Sequence, residues 1–356
     1  MMQPRIAKMY VNAIAASAQE FVDRIKVLQD RKGEMPEDFL NELHKWSLES
    51  IAKVALDVRL GCLDENSHPD TQRLIDAVNT FFIKVPVLEL KIPFWKILNT
   101  PTFTKYINAL ETIREICTKY IQKSLNSAPK SNKDDEISIL QRLLLLENDP
   151  KIATILALDM FLVGIDTTSN AAASILYQLA IHPEKQQILK DELKIILPEK
   201  STPITRENLE RMTYLKACIK ETMRMYPVVI GNGRQTTNDC IIGGYHIPKG
   251  VQVIFQHYVI SNQEEYFPKS KEFLPERWIK SSPCFKEHHP FASLPFGFGK
   301  RMCLGRRFAD LELQTLLAKV IRNYTLEYHY QKLDYFIHPM YTPNGPLRIR
   351  FIEQDL

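Results

Sequence analysis

Apolar residues recur with helical spacing through roughly the first two-thirds of the chain. Over long segments every third or fourth position is apolar, which is the repeat of helices that bury one face. The segment 152–181 is almost continuously apolar but contains Asp159 and Asp166, so it resembles a buried helix more than a membrane span. The predicted helices are 5–29, 37–61, 69–84, 103–127, 136–147, 150–180, 183–196 and 209–226.

The pattern changes after Pro227, where glycine, proline and asparagine become frequent. Short apolar segments at 240–242 and 251–255, separated by turn residues, predict strands. A helix is predicted at 304–322, and two further strands at 325–330 and 347–352. We therefore expect a single domain over 1–356, mainly α with a small β-rich region: helix-rich at 1–227 and mixed β and loop at 228–356.

Composition narrows the possible functions. Hydrophobic residues make up 45% and charged residues 25% of the 356 residues, which is the balance of a folded globular protein. The net charge of +4 is too mild for a nucleic-acid binder, which needs a concentrated basic stripe. The six cysteines show neither paired CxxC spacing nor zinc-type spacing, so a reducing compartment and mostly buried thiols are expected.

One cysteine lies in a distinctive loop, F-G-F-G-K-R-M-C-L-G. It matches the pattern F-x-x-G-x-R-x-C-x-G at Phe296, Gly299, Arg301, Cys303 and Gly305. The cysteine lies where a loop enters a helix, and a thiolate there is favoured by free backbone N–H groups. A buried structural cysteine in a glycine-rich turn would explain Cys303 alone. Five matching positions favour a ligand loop instead.

This loop resembles the haem-binding loop of the cytochromes P450. The resemblance implies the P450 fold, haem b as cofactor, and Cys303 as a thiolate ligand whose electron density favours O–O cleavage. It also implies that Arg301 neutralises a haem propionate, that Phe296 packs beside the sulfur, and that the two glycines give the loop and helix close access to the porphyrin. Arg234 would bind a propionate from a strand, although a solvated surface arginine is the alternative.

Glu221 and Arg224 stand three residues apart on a predicted helix and therefore share one face. Such a pair is often a surface salt bridge worth about 0–1 kcal/mol. In cytochromes P450 a similar pair closes a buried triad with an arginine from a segment like F-L-P-E-R-W, and here that arginine is Arg277. The resemblance implies a structural triad that locks the segment leading to the cysteine loop.

The long apolar helix carries V-G-I-D-T-T, which resembles the distal helix motif of cytochromes P450 except that Val163 replaces a small residue. Helix interiors disfavour Gly, Asp and Thr in succession, and a Thr that bonds back to the helix can open a local kink. The resemblance makes Asp166 and Thr167 catalytic residues that deliver protons during dioxygen activation. The alternative is a set of polar residues tolerated in a buried helix.

Four basic residues predict a docking face for a redox partner. Lys216 and Lys220 are one helical turn apart, and Arg306 and Arg307 follow the cysteine loop. The segment L-K-A-C-I-K-E resembles mitochondrial cytochromes P450, in which such lysines dock an acidic, adrenodoxin-like ferredoxin. An ordinary solvated basic face is the alternative.

The resemblance as a whole implies a monooxygenase acting on an apolar, steroid-like or xenobiotic substrate with O2. It also implies peripheral membrane association and a mitochondrial location on the matrix side of the inner membrane. The matching region starts late relative to a complete cytochrome P450, so we expect an amino-terminal part, including any targeting segment, to be missing. A catalytically impaired or poorly folded remnant is the alternative function.

Overall fold

The computed structural model describes residues 4–126, 138–146, 150–338 and 340–354. Most of these residues lie in helices, and the described strands are short and all follow residue 231. The helices are α1 Pro4–Ala7, α2 Val11–Leu28, α3 Phe39–Leu56, α4 Pro69–Leu90, α5 Pro101–Asn126, α6 Ile139–Leu146, α7 Pro150–Ile181, α8 Pro183–Ile196, α9 Arg206–Arg211, α10 Thr213–Met225, α11 His257–Ser261 and α12 Arg306–Asn323.

The strands pair locally as antiparallel ribbons in the described ranges. The strands are β1 Asn232–Gln235, β2 Cys240–Ile242, β3 Tyr245–Ile247, β4 Gln252–Phe255, β5 Tyr324–Glu327, β6 Asp334–His338, β7 Met340–Asn344 and β8 Arg350–Glu353. β1 pairs with β4, β2 with β3, β5 with β8, and β6 with β7.

The prediction of a mainly α fold with a small β-rich region is confirmed. Several details of the predicted elements differ. A 3-10 turn at Lys8–Tyr10 interrupts the predicted helix 5–29, and β1, β3, β6 and β7 were not predicted. Helix α4 runs on through Pro86 to Leu90, where the Trp95 indole N–H donates to the Leu88 carbonyl at 3.0 Å and satisfies one group of the helix end. The predicted helix 209–226 divides at Met212 into α9 and α10, and α11 was not predicted. The ends of predicted helix 136–147 lie outside the described residues.

Helix α7 forms the centre of the core and packs most extensively against α3. Glycine permits this close contact, because a Cβ atom at Gly164 would lie 3.3 Å from Ile51 Cγ1. The Ser47 hydroxyl of α3 also donates to the Gly164 carbonyl at 3.1 Å. By length and composition, 151–181 could also cross a membrane, a test that core helices of soluble proteins pass as well.

Candidate functional site

The cysteine loop is shaped by glycines and by its own backbone bonds. Gly297 and Gly299 adopt positive φ angles of 71° and 75°, which other residues reach only with strain. The Cys303 N–H donates to the Phe296 carbonyl at 2.8 Å and closes the loop just before α12 begins. The sequence motif therefore produces a compact turn that presents one thiol at the start of a helix.

The Cys303 thiol lies among opposing electrostatic influences. Partial desolvation by the surrounding chain raises its pKa, while the backbone N–H groups of Gly305 and Arg306 act in the opposite direction. The two amides at the start of the helix thus donate toward the sulfur, as expected. Their effect on the pKa of the free thiol is smaller than the effect of desolvation. Coordination to a metal deprotonates a thiol outright.

Open positions and exposed apolar side chains flank Cys303 in the loop. A Cβ atom added at Gly299 or Gly305 would meet no heavy atom within 4 Å. Beside them Phe298 and Leu304 expose 65% and 57% of their surface, which is unusual for large apolar side chains in a loop. Phe296 instead packs against the core and under the Arg306 guanidinium, 5.4 Å from its ring centroid. A flat apolar ligand would cover the exposed side chains.

Two arginines near this surface have no acidic side chain within ion-pair distance in the described ranges. Arg301 is exposed in the 3-10 turn Gly299–Arg301. Arg234 is half-buried on β1 and donates to its neighbouring Gly233 carbonyl at 2.7 Å. Strand β1 also reaches the loop, because a Cβ atom at Gly297 would lie 3.5 Å from Asn232 Nδ2. Both arginines are therefore available for an anionic ligand.

Glu221, Arg224 and Arg277 come together in a fully buried network. Glu221 Oε1 accepts from Arg224 Nη2 at 2.9 Å and from Arg277 Nε at 3.0 Å. The remaining guanidinium N–H groups donate to carbonyls, among them Ser261 and Ser270 for Arg224. The network ties α10 to the chain segment that precedes the cysteine loop.

The network has further members that sequence reasoning missed. The Trp278 indole N–H donates to Glu221 Oε2 at 2.9 Å, and the Leu274 N–H donates to Oε1 at 3.1 Å. The Phe267 ring lies 5.2 Å from the Arg224 guanidinium carbon. Trp278 directly follows Arg277 in the sequence, so it could have been included by its position. Phe267 carries no comparable signal.

Asp166 and Thr167 lie on adjacent positions of α7 but have different surroundings. Asp166 is buried, and its Oδ1 lies 2.7 Å from His44 Nε2 and 3.0 Å from Asn170 Nδ2. Thr167 is half-buried and donates to the Val163 carbonyl one turn earlier at 2.7 Å. The threonine hydroxyl thus bonds back to its own helix, a type of bond that can bend a helix locally. His44 is 122 residues away in the chain, so no local pattern could have identified it as the partner.

Comparison with known proteins identifies the family of this chain. The family model described as Cytochrome P450 matches residues 1–350. The chain belongs to the cytochrome P450 family. The predicted resemblance is thereby confirmed.

Three similar curated proteins come from flies. The chain is 46% identical to "Probable cytochrome P450 49a1" of Drosophila melanogaster over 368 residues, covering 100% of this chain and 62% of the relative. It is 49% identical to "Probable cytochrome P450 301a1, mitochondrial" of Drosophila melanogaster over 350 residues, covering 96% of this chain and 63% of the relative. It is 36% identical to "Cytochrome P450 CYP12A2" of Musca domestica over 375 residues, covering 100% of this chain and 70% of the relative. The chain thus spans less than two-thirds of the length of the first two relatives.

Haem b is the cofactor of the cytochrome P450 family, and the residues around Cys303 fit it. The open glycines and exposed apolar side chains suit the face of a porphyrin, and the two arginines without acidic partners suit its propionates. Within the described residues no cluster of three His, Cys, Asp or Glu side chains forms a separate metal site. A haem iron needs only the single thiolate that Cys303 provides.

The four basic residues predicted to dock a partner line one groove. Lys216, Lys220, Arg306 and Arg307 line this groove together with Phe296 of the cysteine loop. The groove is not purely basic. It includes Asp310, whose pKa is raised by burial although Lys220, Arg306 and Arg307 oppose that shift. The structure thus brings all four cations to one surface.

Proposed function

We propose that this chain is a haem-thiolate monooxygenase that inserts one oxygen atom from O2 into an apolar substrate, RH + O2 + 2 e⁻ + 2 H⁺ → ROH + H2O. The observation that carries the proposal is the loop that presents Cys303 at the start of α12 beneath open apolar surface. Haem, when bound, supplies the activation of dioxygen. We also propose one domain, because a continuous core joins helices from both regions of the chain.

The proximal residues hold the cofactor in this proposal. Cys303 would provide the thiolate ligand, and the amides of Gly305 and Arg306 donate toward its sulfur. Arg301 and Arg234 would bind the propionates. Phe296 packs behind the loop and limits water at the sulfur. The Glu221 network maintains the position of the segment that leads into the loop.

Asp166 and Thr167 of α7 transfer protons in this proposal. Thr167 Oγ1 already donates to Val163, so its lone pairs remain free to accept. Asp166 is bonded at Oδ1, and no described group bonds its Oδ2. We assign Oδ2 as the atom that takes a proton from solvent and passes it toward Thr167.

The electron donor is proposed to be an acidic, adrenodoxin-like ferredoxin that docks on the groove formed by Lys216, Lys220, Arg306 and Arg307. The clustered cations would steer a negatively charged partner to the side of the cysteine loop. Reversing the charge at Lys216 and Lys220 is expected to slow ferredoxin-driven reduction about tenfold at low salt. An unchanged rate would contradict this partner.

A mitochondrial location and a peripheral membrane contact complete the proposal. The relative "Probable cytochrome P450 301a1, mitochondrial" supports the compartment, which we refine to the matrix side of the inner membrane. An exposed apolar surface interrupted by lysines supports the membrane contact. This surface consists of Leu90, Ile92, Phe94, Ile97 and Leu98. Replacing Leu90 and Ile97 by aspartate should release the protein from vesicles of anionic phospholipid, and retained binding would contradict this contact.

The monooxygenase reaction is tested by oxygen isotope incorporation. The haem-loaded chain is supplied with ferredoxin, ferredoxin reductase and NADPH under ¹⁸O2, together with a steroid, a terpenoid and an alkyl xenobiotic. We expect one labelled oxygen atom in a hydroxylated product, and loss of product in Thr167→Ala with peroxide released instead. A reduced, haem-loaded chain that yields no labelled product from any of these substrates would contradict the proposal.

A further inference from the structure

The buried contact between His44 and Asp166 joins α3 to α7 at the distal site. His44 Nε2 lies 2.7 Å from Asp166 Oδ1, and both side chains are about 95% buried, with relative exposures of 5% and 6%. The two residues belong to the most extensively packed helix pair in the described part of the chain. Such a contact fixes the carboxyl group relative to a second helix.

The hydrogen bonds determine where protons must lie. His44 Nδ1 is 2.7 Å from the Leu40 carbonyl, and a carbonyl oxygen only accepts, so Nδ1 carries a proton. Nε2 is then either a second donor or a bare acceptor. A bare Nε2 would face a carboxylate oxygen lone pair at 2.7 Å, which is repulsive. The contact therefore requires a proton between Nε2 and Oδ1, whichever of the two atoms it rests on.

The remaining bonds leave the two carboxyl oxygens unequal. Asn170 Nδ2 donates to Asp166 Oδ1 at 3.0 Å as well, so both bonds converge on the same oxygen. Oδ2 has no bonding partner among the residues that the structure describes. Ser47 lies one turn after His44 on α3, and its hydroxyl donates to the Gly164 carbonyl at 3.1 Å. This bond ties α3 to the backbone just before Asp166.

We propose that His44 is a positioning residue that shares one proton with Asp166 Oδ1 and thereby directs Oδ2 toward the reaction. The positioning role of His44 rests on the proposed monooxygenase function. The shared proton is a separate claim that does not depend on that function. The pair explains how a carboxylate is kept in a buried helix without a permanent cation beside it. His44 acts through Asp166 and does not touch substrate or haem in this assignment.

The shared proton is tested by nuclear magnetic resonance of the full chain labelled with ¹⁵N-histidine. We expect a strongly downfield proton resonance correlated with the His44 ring, absent in His44→Gln and in Asp166→Asn. A His44 ring with a bare Nε2 and no downfield proton would overturn the proposal. This readout does not depend on turnover, so it can fail or succeed separately from the monooxygenase reaction.

The positioning role is tested in the haem-loaded chain by the share of electrons that reaches product. His44→Phe removes the proton and should lower product per NADPH about tenfold, with peroxide released instead. His44→Gln still presents an N–H donor to Oδ1 and should restore most of the product. Ser50→Ala is the matched control, because it removes a buried hydrogen bond of α3 that meets α12 and not α7. Unchanged product per NADPH in a folded His44→Phe protein would overturn the role.

Discussion

Two buried glutamates show how differently this fold accommodates a carboxyl group. Glu221 on α10 and Glu312 on α12 are both almost completely excluded from solvent. Glu221 accepts five hydrogen bonds, two of them from one arginine and one from another. Glu312 accepts a single bond from Ser50 Oγ, at 2.6 Å. The two sites are buried to almost the same degree, and they differ in the number of hydrogen-bond donors that face the carboxyl group.

The consequence is a difference in how the negative charge is compensated. Burial raises the pKa of Glu312 to about 7, because one hydroxyl cannot replace the solvation that the carboxylate loses. Glu221 faces two guanidinium groups, which compensate a negative charge directly. Of these two buried carboxyl groups, Glu221 is paired with cations and connects segments, whereas Glu312 favours its protonated form below about pH 7.

The largest expected effect comes from neutralising Glu221. Glu221→Gln leaves Arg224 and Arg277 buried without a counter-charge, and should lower the free energy of unfolding by about 3–5 kcal/mol. The segment before the cysteine loop is then loosened, so haem content should fall in parallel. Chemical denaturation and the ratio of haem to protein measure the two effects. A stable Glu221→Gln protein with full haem content would contradict the network's structural role.

The same substitution at Glu312 should have the opposite sign. Its folded-state pKa is about 7 against 4.5 for an ordinary glutamate. Stability from this group is therefore complete below about pH 4.5 and is lost as pH rises to about 7. Above pH 7, Glu312→Gln should stabilise the protein by up to about 3 kcal/mol, and at pH 4.5 by almost nothing. Denaturation at both pH values measures this. A pH-independent effect would contradict the assignment.

Removing one donor from Glu221 should have a smaller effect. Trp278→Phe keeps the aromatic packing but deletes the indole N–H that bonds Glu221 Oε2. Arg224 still donates to the same oxygen, so we expect a loss of about 1–2 kcal/mol in the free energy of unfolding. Haem content should remain near that of the unmodified protein. A loss as large as that of Glu221→Gln would mean that the arginines alone do not hold the charge.

The smallest effect is expected from the single donor of Glu312. Ser50→Ala should lower the free energy of unfolding by about 1 kcal/mol. It should also raise the pKa of Glu312 further, since the Ser50 hydroxyl bond is the influence that lowers it. The decline in stability would still begin near pH 4.5, but it would continue to a higher pH and become larger in denaturation experiments. An unchanged pH profile would show that Ser50 does not bear on the charge of Glu312.

The difference between the two glutamates also explains how far the sequence could predict the site. The Glu221–Arg224–Arg277 triad was predictable because its three members lie in two short motifs, one on α10 and one at Arg277. The cysteine loop was predictable for the same reason, and most helices followed from their apolar repeat. His44 and Ser50 could not be predicted, because each meets a partner more than 100 residues away through packing of α3. Contacts between residues so far apart in the chain produce no recognisable local motif in the sequence.

The central claim is that Cys303 provides the thiolate of a haem site, and the reduced, carbon-monoxide-bound absorption spectrum tests it most directly. The purified, haem-supplied chain is expected to show the strongly red-shifted Soret band of a thiolate ligand. Cys303→Ala should lose that band, while Cys284→Ala, which removes another exposed free cysteine, should retain it. A chain without the red-shifted band, or a Cys303→Ala protein that keeps it, would contradict the claim.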